Sequence, residues 1–496
     1  MTLLRLHPDD DVAIALIDLP AGHVVDGLTL TGDVASGHKV AVRAVAAGAS
    51  VHKYGQVIGL ASTDIPAGAW VHTHNLVMSD ADRAAQIGAG RRPLPAPADT
   101  VTWSGYRRAD GRWGTRNTIA ILTSVNCSAT VARRIAAAFP RESLPPGVDD
   151  VVAYTHTGGC GGASDGQDVR MLQRTLAGYA RHPNVAAVLI VGLGCEANQI
   201  PDWLAREGLS AGPHLRTLSI QEAGGTLKAI AAGEALVQDL IQTAAGAHRE
   251  AAPVSGLFVG LQCGGSDGWS GVTANPALGR AVDRLVSHGG SALLSETPEI
   301  WGAEHLLLRR ADPDTARALL DRLDWWRDHA LHHGMALNNN PSPGNLKGGL
   351  TTILEKSLGA VAKAGSSDLQ DVIGYAQPVR RTGLTFMDSP GYDPCSATGQ
   401  IASGANLITF TTGRGSVFGS KPAPCLKIAS NAGLAGWMAE DIDVDASGVL
   451  RGESLDAVGE VIFRRILALA SGEPSASEAL GIGEAEFVPW QMGAWL

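Results

Sequence analysis

The chain is 496 residues long, 45% hydrophobic and 18% charged, which supports several packed cores and excludes a disordered polypeptide. Its formal net charge is −10 and no basic stripe is present, so no nucleic-acid partner is expected. Acidic residues interrupt the first stretch from Met1 to Pro20, and no apolar run reaches the roughly 18 residues of a membrane span, so the expected setting is cytoplasmic, with neither signal peptide nor membrane partner.

Residues 1–76 carry short apolar runs separated by turn signals at 18–22, 32–37 and 64–68, the pattern of a compact all-β domain. Residues 77–104 change character, and GAGRRPLPAPAD at 88–99 reads as a linker. From Gly105 buried strands alternate with helices. Strands are predicted at 118–123 (TIAILT), 151–154 and 185–191 (VAAVLIV), and helices at 129–139 behind a Ser128 cap, at 169–181 and at 227–248. Continuous apolar strands between helices imply a parallel sheet, here an α/β domain over 105–250. The same style resumes over 251–496, with strands at 256–261, 291–295, 383–387 and 406–411 and helices at 303–310 and 313–331. NNNPSPGNLKGGL at 338–350 reads as a long polar loop, a common place for function.

The turns after the strands carry the reactive residue types. Cys127 follows the first strand of the α/β region, His156 and Cys160 the second, and Cys195 with Glu196 the third. Cys263, Ser266 and Asp267 follow the strand at 256–261, and Glu296 follows 291–295. Open parallel sheets bind ligands beyond the carboxyl ends of their strands, so four of six cysteines fall where a site is expected. A single cysteine is ordinarily a small buried side chain, and Cys395 and Cys425 read that way. Four in Gly-rich post-strand turns read instead as ligands of a soft or borderline metal. No CxxC pair is present, so the pattern is not that of a zinc ribbon.

In the β domain, His38 with Lys39 and Lys53 with Tyr54 flank turns. His72 and His74 share one face if they lie on a strand, which makes them a competing metal or anion site, against plain solvation. Positive charge gathers at Lys347, Lys356, Lys363, Arg414, Lys421 and Lys427, and again at Arg107, Arg108 and Arg116, where it is available to a carboxylate. Phosphate-loop and dinucleotide-binding patterns are absent.

GYRRADGRWGTRN (105–117), SVNCSAT (124–130), GLGCEANQ (192–199), LQCGGSDGWSGVTANPALG (261–279), NPSPGNLKGG (340–349), EKSLGAVAKAGSS (355–367) and FTTGRGS (410–416) resemble the altronate and galactarate dehydratase family, in order and over nearly the whole chain. GHKVAV, KYGQVIG and VHTHN resemble its small SAF-type β domain. The resemblance implies a β-clip-like N-terminal domain followed by two α/β domains with mainly parallel sheets. It implies a hydro-lyase that removes water from a sugar acid, D-altronate first, to leave a 2-keto-3-deoxy acid. Galactarate, another aldonate or aldarate, and sulfolactate in a related sulfo-lyase branch are the alternative substrates. The glycine-rich loop 156–165 departs from the altronate pattern and leaves the substrate open. A divalent metal is implied, Fe2+ before Mn2+, with an iron–sulfur cluster as the open alternative.

On this reading the catalytic groups are sought among His38, Lys53, Tyr54, His156, Asp267, Glu296 and Lys347. Substrate contacts are sought among Arg107, Arg116, Ser266, Asn345, Lys363 and Arg414. Metal ligands are sought among Cys127, Cys160, Cys195 and Cys263, with His72 and His74 as the alternative. The expected partner is a small sugar acid, and a homo-oligomer is left open. The reading from a different class is a sugar-acid-binding protein without catalysis, against which several reactive side chains at strand ends argue.

Overall fold

The computed structural model describes residues 2–78, 87–92 and 101–492; of the linker expected at 77–104, residues 79–86 and 93–100 lie outside the described residues. The N-terminal domain is built of short antiparallel strands, as its turn spacing requires. Leu3–Leu4, Val12–Ala15, Lys39–Ala41 and Trp70–Val71 form one sheet in that order, and Ser50–Lys53, Gln56–Ala61 and Leu76–Val77 another. Two hairpins close through left-handed pairs, Asp26 (φ 49) with Gly27 (φ 81) and Tyr54 (φ 63) with Gly55 (φ 66). Positive φ at both central residues gives the turn whose twist matches that of the strands it joins. Val12, Ala41, Val51, Ile58 and Val71 point inward and share one apolar core with the C-terminal domain, which fixes the β domain in place.

The middle domain is a four-stranded parallel sheet in the order Asp150–Tyr154, Thr118–Thr123, Val185–Gly192, Leu215–Ser219. Alternate residues of its central strand serve opposite faces, as a period of two dictates. Ile119 and Ile121 pack under the helices Ala129–Ala137 and Thr226–Ala244. Ala120 and Leu122 pack toward Gln167–Ala180 and on into the C-terminal domain. Ser128 sits at the start of its helix as expected, but its hydroxyl donates to Val125 O rather than capping the helix. Thr102–Arg107 pairs with Glu250–Pro253, so the chain enters and leaves this domain side by side.

The C-terminal domain holds a seven-stranded parallel sheet. Its order is Leu369–Ile373, Leu384–Met387, Ser291–Leu294, Phe258–Cys263, Leu407–Thr412, Cys425–Ala429, Val444–Asp445. The strand Phe258–Cys263 is first in sequence yet lies fourth across the sheet, so later strands are added on both sides of it. Such a reversal opens a crevice at the carboxyl edge. The expected polar loop at 338–350 is corrected: it contains the helix Pro343–Lys347. Ser342 caps it, accepting from Asn345 N at 3.3 Å, while Asn345 Oδ1 accepts from Ser342 N at 3.0 Å. The helix expected at 303–310 is only His305–Leu308, and among the described residues no helix is long and apolar enough to cross a membrane.

Candidate active site

The carboxyl edge of the large sheet opens into a cavity of about 610 Å³. Phe258–Cys263 ends with the Cys263 thiol at its floor, and the strand Ser291–Leu294 runs into Ser295 and Glu296. Glu296 adopts a left-handed backbone (φ 72), an arrangement that costs a residue with a side chain about 1–3 kcal/mol and is typically kept where it aims a functional group. The short turn Thr297–Ile300 then brings Glu299 back beside Glu296. Ligand atoms of Cys263, Glu296 and Glu299 all lie within 4.8 Å of one another, and all three residues are buried. The helix Ile353–Ala362 supplies Lys356, whose Nζ donates to Glu299 Oε1 at 2.7 Å and to Asn340 Oδ1 at 2.9 Å. Lys363, one residue beyond that helix, donates to Cys263 Sγ at 2.9 Å. Asp393, at the start of the helix Asp393–Ala402, completes the wall. Gly264 makes room for it, because a Cβ there would meet Asp393 Oδ2 at 2.2 Å.

Burial sets the protonation of this floor. It pushes the Glu296 carboxyl well up, with the neighbouring Glu299 adding to the effect. Burial also pushes on Glu299, but Lys356, Lys363 and Asn340 outweigh it and hold that carboxyl below the usual carboxylate range. Burial raises Asp393 to about 7, helped by Glu299. It raises the Cys263 thiol as well, against the pull of Lys363. Neither oxygen of Glu296 nor Oε2 of Glu299 has a hydrogen-bond partner, although such orphaned buried atoms ordinarily cost free energy. Three unpartnered carboxylate oxygens beside one thiol form a mixed oxygen–sulfur donor set, which fits a borderline divalent ion such as Fe2+ and, less well, Mn2+.

Cys263, Glu296 and Lys363 therefore stand together, the first two at the ends of strands and Lys363 after the helix Ile353–Ala362. Asn345 lines the same cavity and donates to Ser266 O at 2.8 Å. Arg414 is exposed beside the short helix Pro343–Lys347, its Nε 3.8 Å from where a Cβ on Gly344 would lie. Asp267 accepts from Trp269 N, Ser270 N, Ser270 Oγ, Ser430 Oγ and Asn431 Nδ2. Four of these bonds fall on Oδ1 and one on Oδ2, so it braces the turn, and burial raises its carboxyl.

The other expected residues lie elsewhere, and several are corrected. Lys53 is sealed in an ion pair with Glu355 and is 1% exposed. Tyr54 forms the hairpin turn beside it, where burial raises its hydroxyl. His38 accepts from Trp70 Nε1 at 3.2 Å and faces Lys347 O at 3.4 Å. Lys347 itself is exposed. The strand expected to present His72 and His74 ends at Val71; His72 Nε2 bonds Leu346 O at 3.0 Å, whereas His74 is exposed against Trp70. His156 Nε2 donates to Thr123 O and Nδ1 accepts from Gly158 N, so both ring nitrogens are engaged with the backbone. Arg116 is committed to Glu478 and three backbone carbonyls, and exposed Arg107 lies over Trp113. Cys127, Cys160 and Cys195 stand on loops of the middle domain, exposed, rather than with Cys263. Glu299, Asn340 and Asp393 were not foreseen. Glu299 carried one readable signal, its place three residues after Glu296 on the same post-strand turn.

A cavity at the carboxyl edge of a parallel sheet, lined by acid, thiol and ammonium groups, is where such folds bind small ligands. The chain belongs to the altronate/galactarate dehydratase family. Residues 1–79 match its SAF domain, 105–245 the D-galactarate dehydratase/altronate hydrolase second domain, and 254–495 the D-galactarate/altronate dehydratase C-terminal domain. It is 37% identical to the altronate dehydratase of Escherichia coli over 96% of this chain and 97% of that one. It is 35% identical to the altronate dehydratase of Bacillus subtilis over 91% and 93%, and 36% identical to the galactarate dehydratase (L-threo-forming) of Escherichia coli over 95% and 93%.

Proposed function

We propose that this protein is a hydro-lyase that dehydrates a sugar acid, with D-altronate the first candidate and galactarate the second. The observation that carries the reading is the buried trio of Cys263, Glu296 and Glu299, with unpartnered carboxylate oxygens, beside two buried lysines. The full-length likeness to altronate dehydratases supports the choice of substrate.

Elimination breaks the C2–H and C3–O bonds of the acid and forms C2=C3, and the resulting enol tautomerises to the 2-keto-3-deoxy acid. A divalent ion held by Cys263, Glu296 and Glu299 would supply Lewis-acid stabilisation of the substrate carboxylate as charge develops on it. Lys356 and Lys363 add fixed positive charge at the same floor, already desolvated and oriented. Asp393, raised to about 7, takes the C2 proton and returns it to the departing C3 hydroxyl, which leaves as water. Arg414, exposed beside the helix Pro343–Lys347, supplies a guanidinium for the far end of the substrate. The six cysteines are all free thiols, which fits a reducing, cytoplasmic setting.

The test is a panel of aldonates and aldarates incubated with iron-replete, reduced protein and read by 2-keto acid formation. Turnover of altronate above the other acids is expected. Tight binding of these acids with no keto acid formed would replace the reading with that of a binding protein.

A further inference from the structure

The cavity beside Cys263 has two chemically different halves. One carries the thiol, acids and ammonium of Cys263, Glu299, Lys356 and Asp393. The other, more exposed half is walled by Trp326, His329, His333, Met335, Leu337 and Tyr392, and none of these bears a permanent charge. The helix Pro313–His332 and the residues just past it build much of that wall. Trp325 and His329 stand four residues apart, and His333 follows after another four, a spacing that gathers side chains on one helix face.

The two imidazoles are held in place by other rings rather than by hydrogen bonds. His329 stacks on Trp325, with centroids 4.6 Å apart and planes at 14°, and meets Trp326 edge-on at 5.6 Å. Trp326 stacks in turn on Trp490 at 5.4 Å, and its Nε1 donates to Asp388 Oδ1 at 2.8 Å. His333 packs against His329 at 4.6 Å. Among the described residues neither imidazole makes a hydrogen bond, whereas His72, His156 and His182 each bond a backbone carbonyl. Burial and the neighbouring His333 and His332 push His329 below its usual pKa, so its ring is neutral at pH 7. A neutral imidazole offers one N–H donor and one bare nitrogen, which a hydroxyl, itself donor and acceptor, satisfies.

We propose that His329 and His333 form a hydroxyl-binding subsite that selects long polyhydroxy acids over short hydroxy acids. This rests on the sugar-acid reading above. With the carboxylate, C2 and C3 at the charged half of the cavity, the C4 and C5 hydroxyls of a hexonic acid face the imidazoles. A three-carbon acid has no hydroxyl that reaches them. Because the rings are already oriented by their stacking, little freedom is lost when the hydroxyls bind. A site built to hydrogen-bond a substrate hydroxyl discriminates strongly against an analogue that lacks it.

The experiment compares the iron-replete, reduced parent with the double variants His329→Leu/His333→Leu and His329→Gln/His333→Gln. KM and kcat are measured for D-altronate, and glycerate, a three-carbon 2,3-dihydroxy acid, is measured as an inhibitor. The leucine variant is expected to raise KM for altronate at least about 10-fold, with kcat within about two-fold of the parent and the glycerate inhibition constant unchanged. The glutamine variant, which keeps a donor and an acceptor at each position, is expected to recover part of that loss. Both positions are partly or fully exposed, so the unfolding midpoint is expected to stay that of the parent. An unchanged KM for altronate in the leucine variant, or an equal weakening of altronate and glycerate, overturns the subsite. A parent that binds altronate without forming keto acid overturns the hydro-lyase reading alone, and the same comparison is then read from calorimetric Kd values. A parent that binds no sugar acid overturns both.

Discussion

Lys53 of the N-terminal β domain donates a 2.8 Å hydrogen bond to Glu355 of the C-terminal domain, and neither side chain is more than 1% exposed. Lys39 reaches the same carboxylate at 2.9 Å, and Thr351 donates to it from both its backbone nitrogen and its hydroxyl. Burial alone would push Glu355 up; the two ammonium groups instead hold it far below the usual carboxylate range. The β domain is thus locked to the large sheet by a charge triad as well as by a shared apolar core.

Replacing Glu355 by Gln leaves two buried ammonium groups without a counter-charge. A broken buried pair costs about 3–5 kcal/mol. Chemical denaturation of Glu355→Gln is expected to show a loss of that order, with the N-terminal domain becoming accessible to protease. An unchanged denaturation midpoint would remove the triad as the lock between the domains.

His156 makes stability depend on pH. Its ring is held neutral between Thr123 O and Gly158 N, and burial pushes its pKa down to about 4. Below the unfolded value of about 6.5 the unfolded chain binds a proton that the folded chain refuses, so stability is complete above about 6.5 and falls until about 4. His182, lowered to about 3 by burial, acts in the same direction. At 1.36 kcal/mol per unit, His156 alone accounts for a loss of roughly 3 kcal/mol over that window. The urea midpoint is expected to drop between about pH 7 and about pH 5, and His156→Asn is expected to flatten the slope. Identical slopes in parent and variant would count against it.

What the sequence shows of the site depends on distance along the chain. Cys263 and Glu296 are legible because the first ends a short apolar strand and the second follows another by two residues. The parallel-sheet domains are legible for the same reason: their strands are continuous apolar runs. Lys53 and Arg116 look equally reactive in the sequence, but their partners lie 302 and 362 residues away, and only folding shows that these charges are already neutralised. Asp393 is hidden because burial, not residue type, gives it a useful proton affinity. The helix Pro343–Lys347 is hidden because Asn, Pro and Gly ordinarily signal a loop, whereas here Ser342 and Asn345 form a reciprocal cap.

Glu296 trades stability for chemistry. Its folded pKa lies above the unfolded value, so the charged form is disfavoured and the side chain lowers stability as pH rises past about 4.3. Glu296→Gln removes that penalty while keeping the shape. A raised thermal midpoint at neutral to alkaline pH is expected, together with loss of bound divalent metal at this site and a fall in kcat/KM of at least about 100-fold. A variant that keeps full metal content and turnover would exclude Glu296 from the metal site.

Gly413 couples Arg414 to the turn at Asp267. It stands between the end of the strand Leu407–Thr412 and Arg414, and a Cβ on it would come 2.1 Å from Asp267 Cγ and 2.2 Å from Oδ1. Asp267 cannot step aside without breaking bonds to Ser270, Ser430 and Asn431. Any relief therefore moves the turn that carries Ser266, and with it the Asn345 contact at the cavity wall, or moves Arg414 itself. Overpacking of this kind costs about 1–3 kcal/mol. Gly413→Ala is expected to lower stability by that amount and to raise KM for the sugar acid more than it lowers kcat, because the disturbance falls on Arg414, the group proposed to hold the substrate, while the floor at Cys263 and Asp393 stays in place. A fall in kcat with KM unchanged would instead place Arg414 in the chemical step.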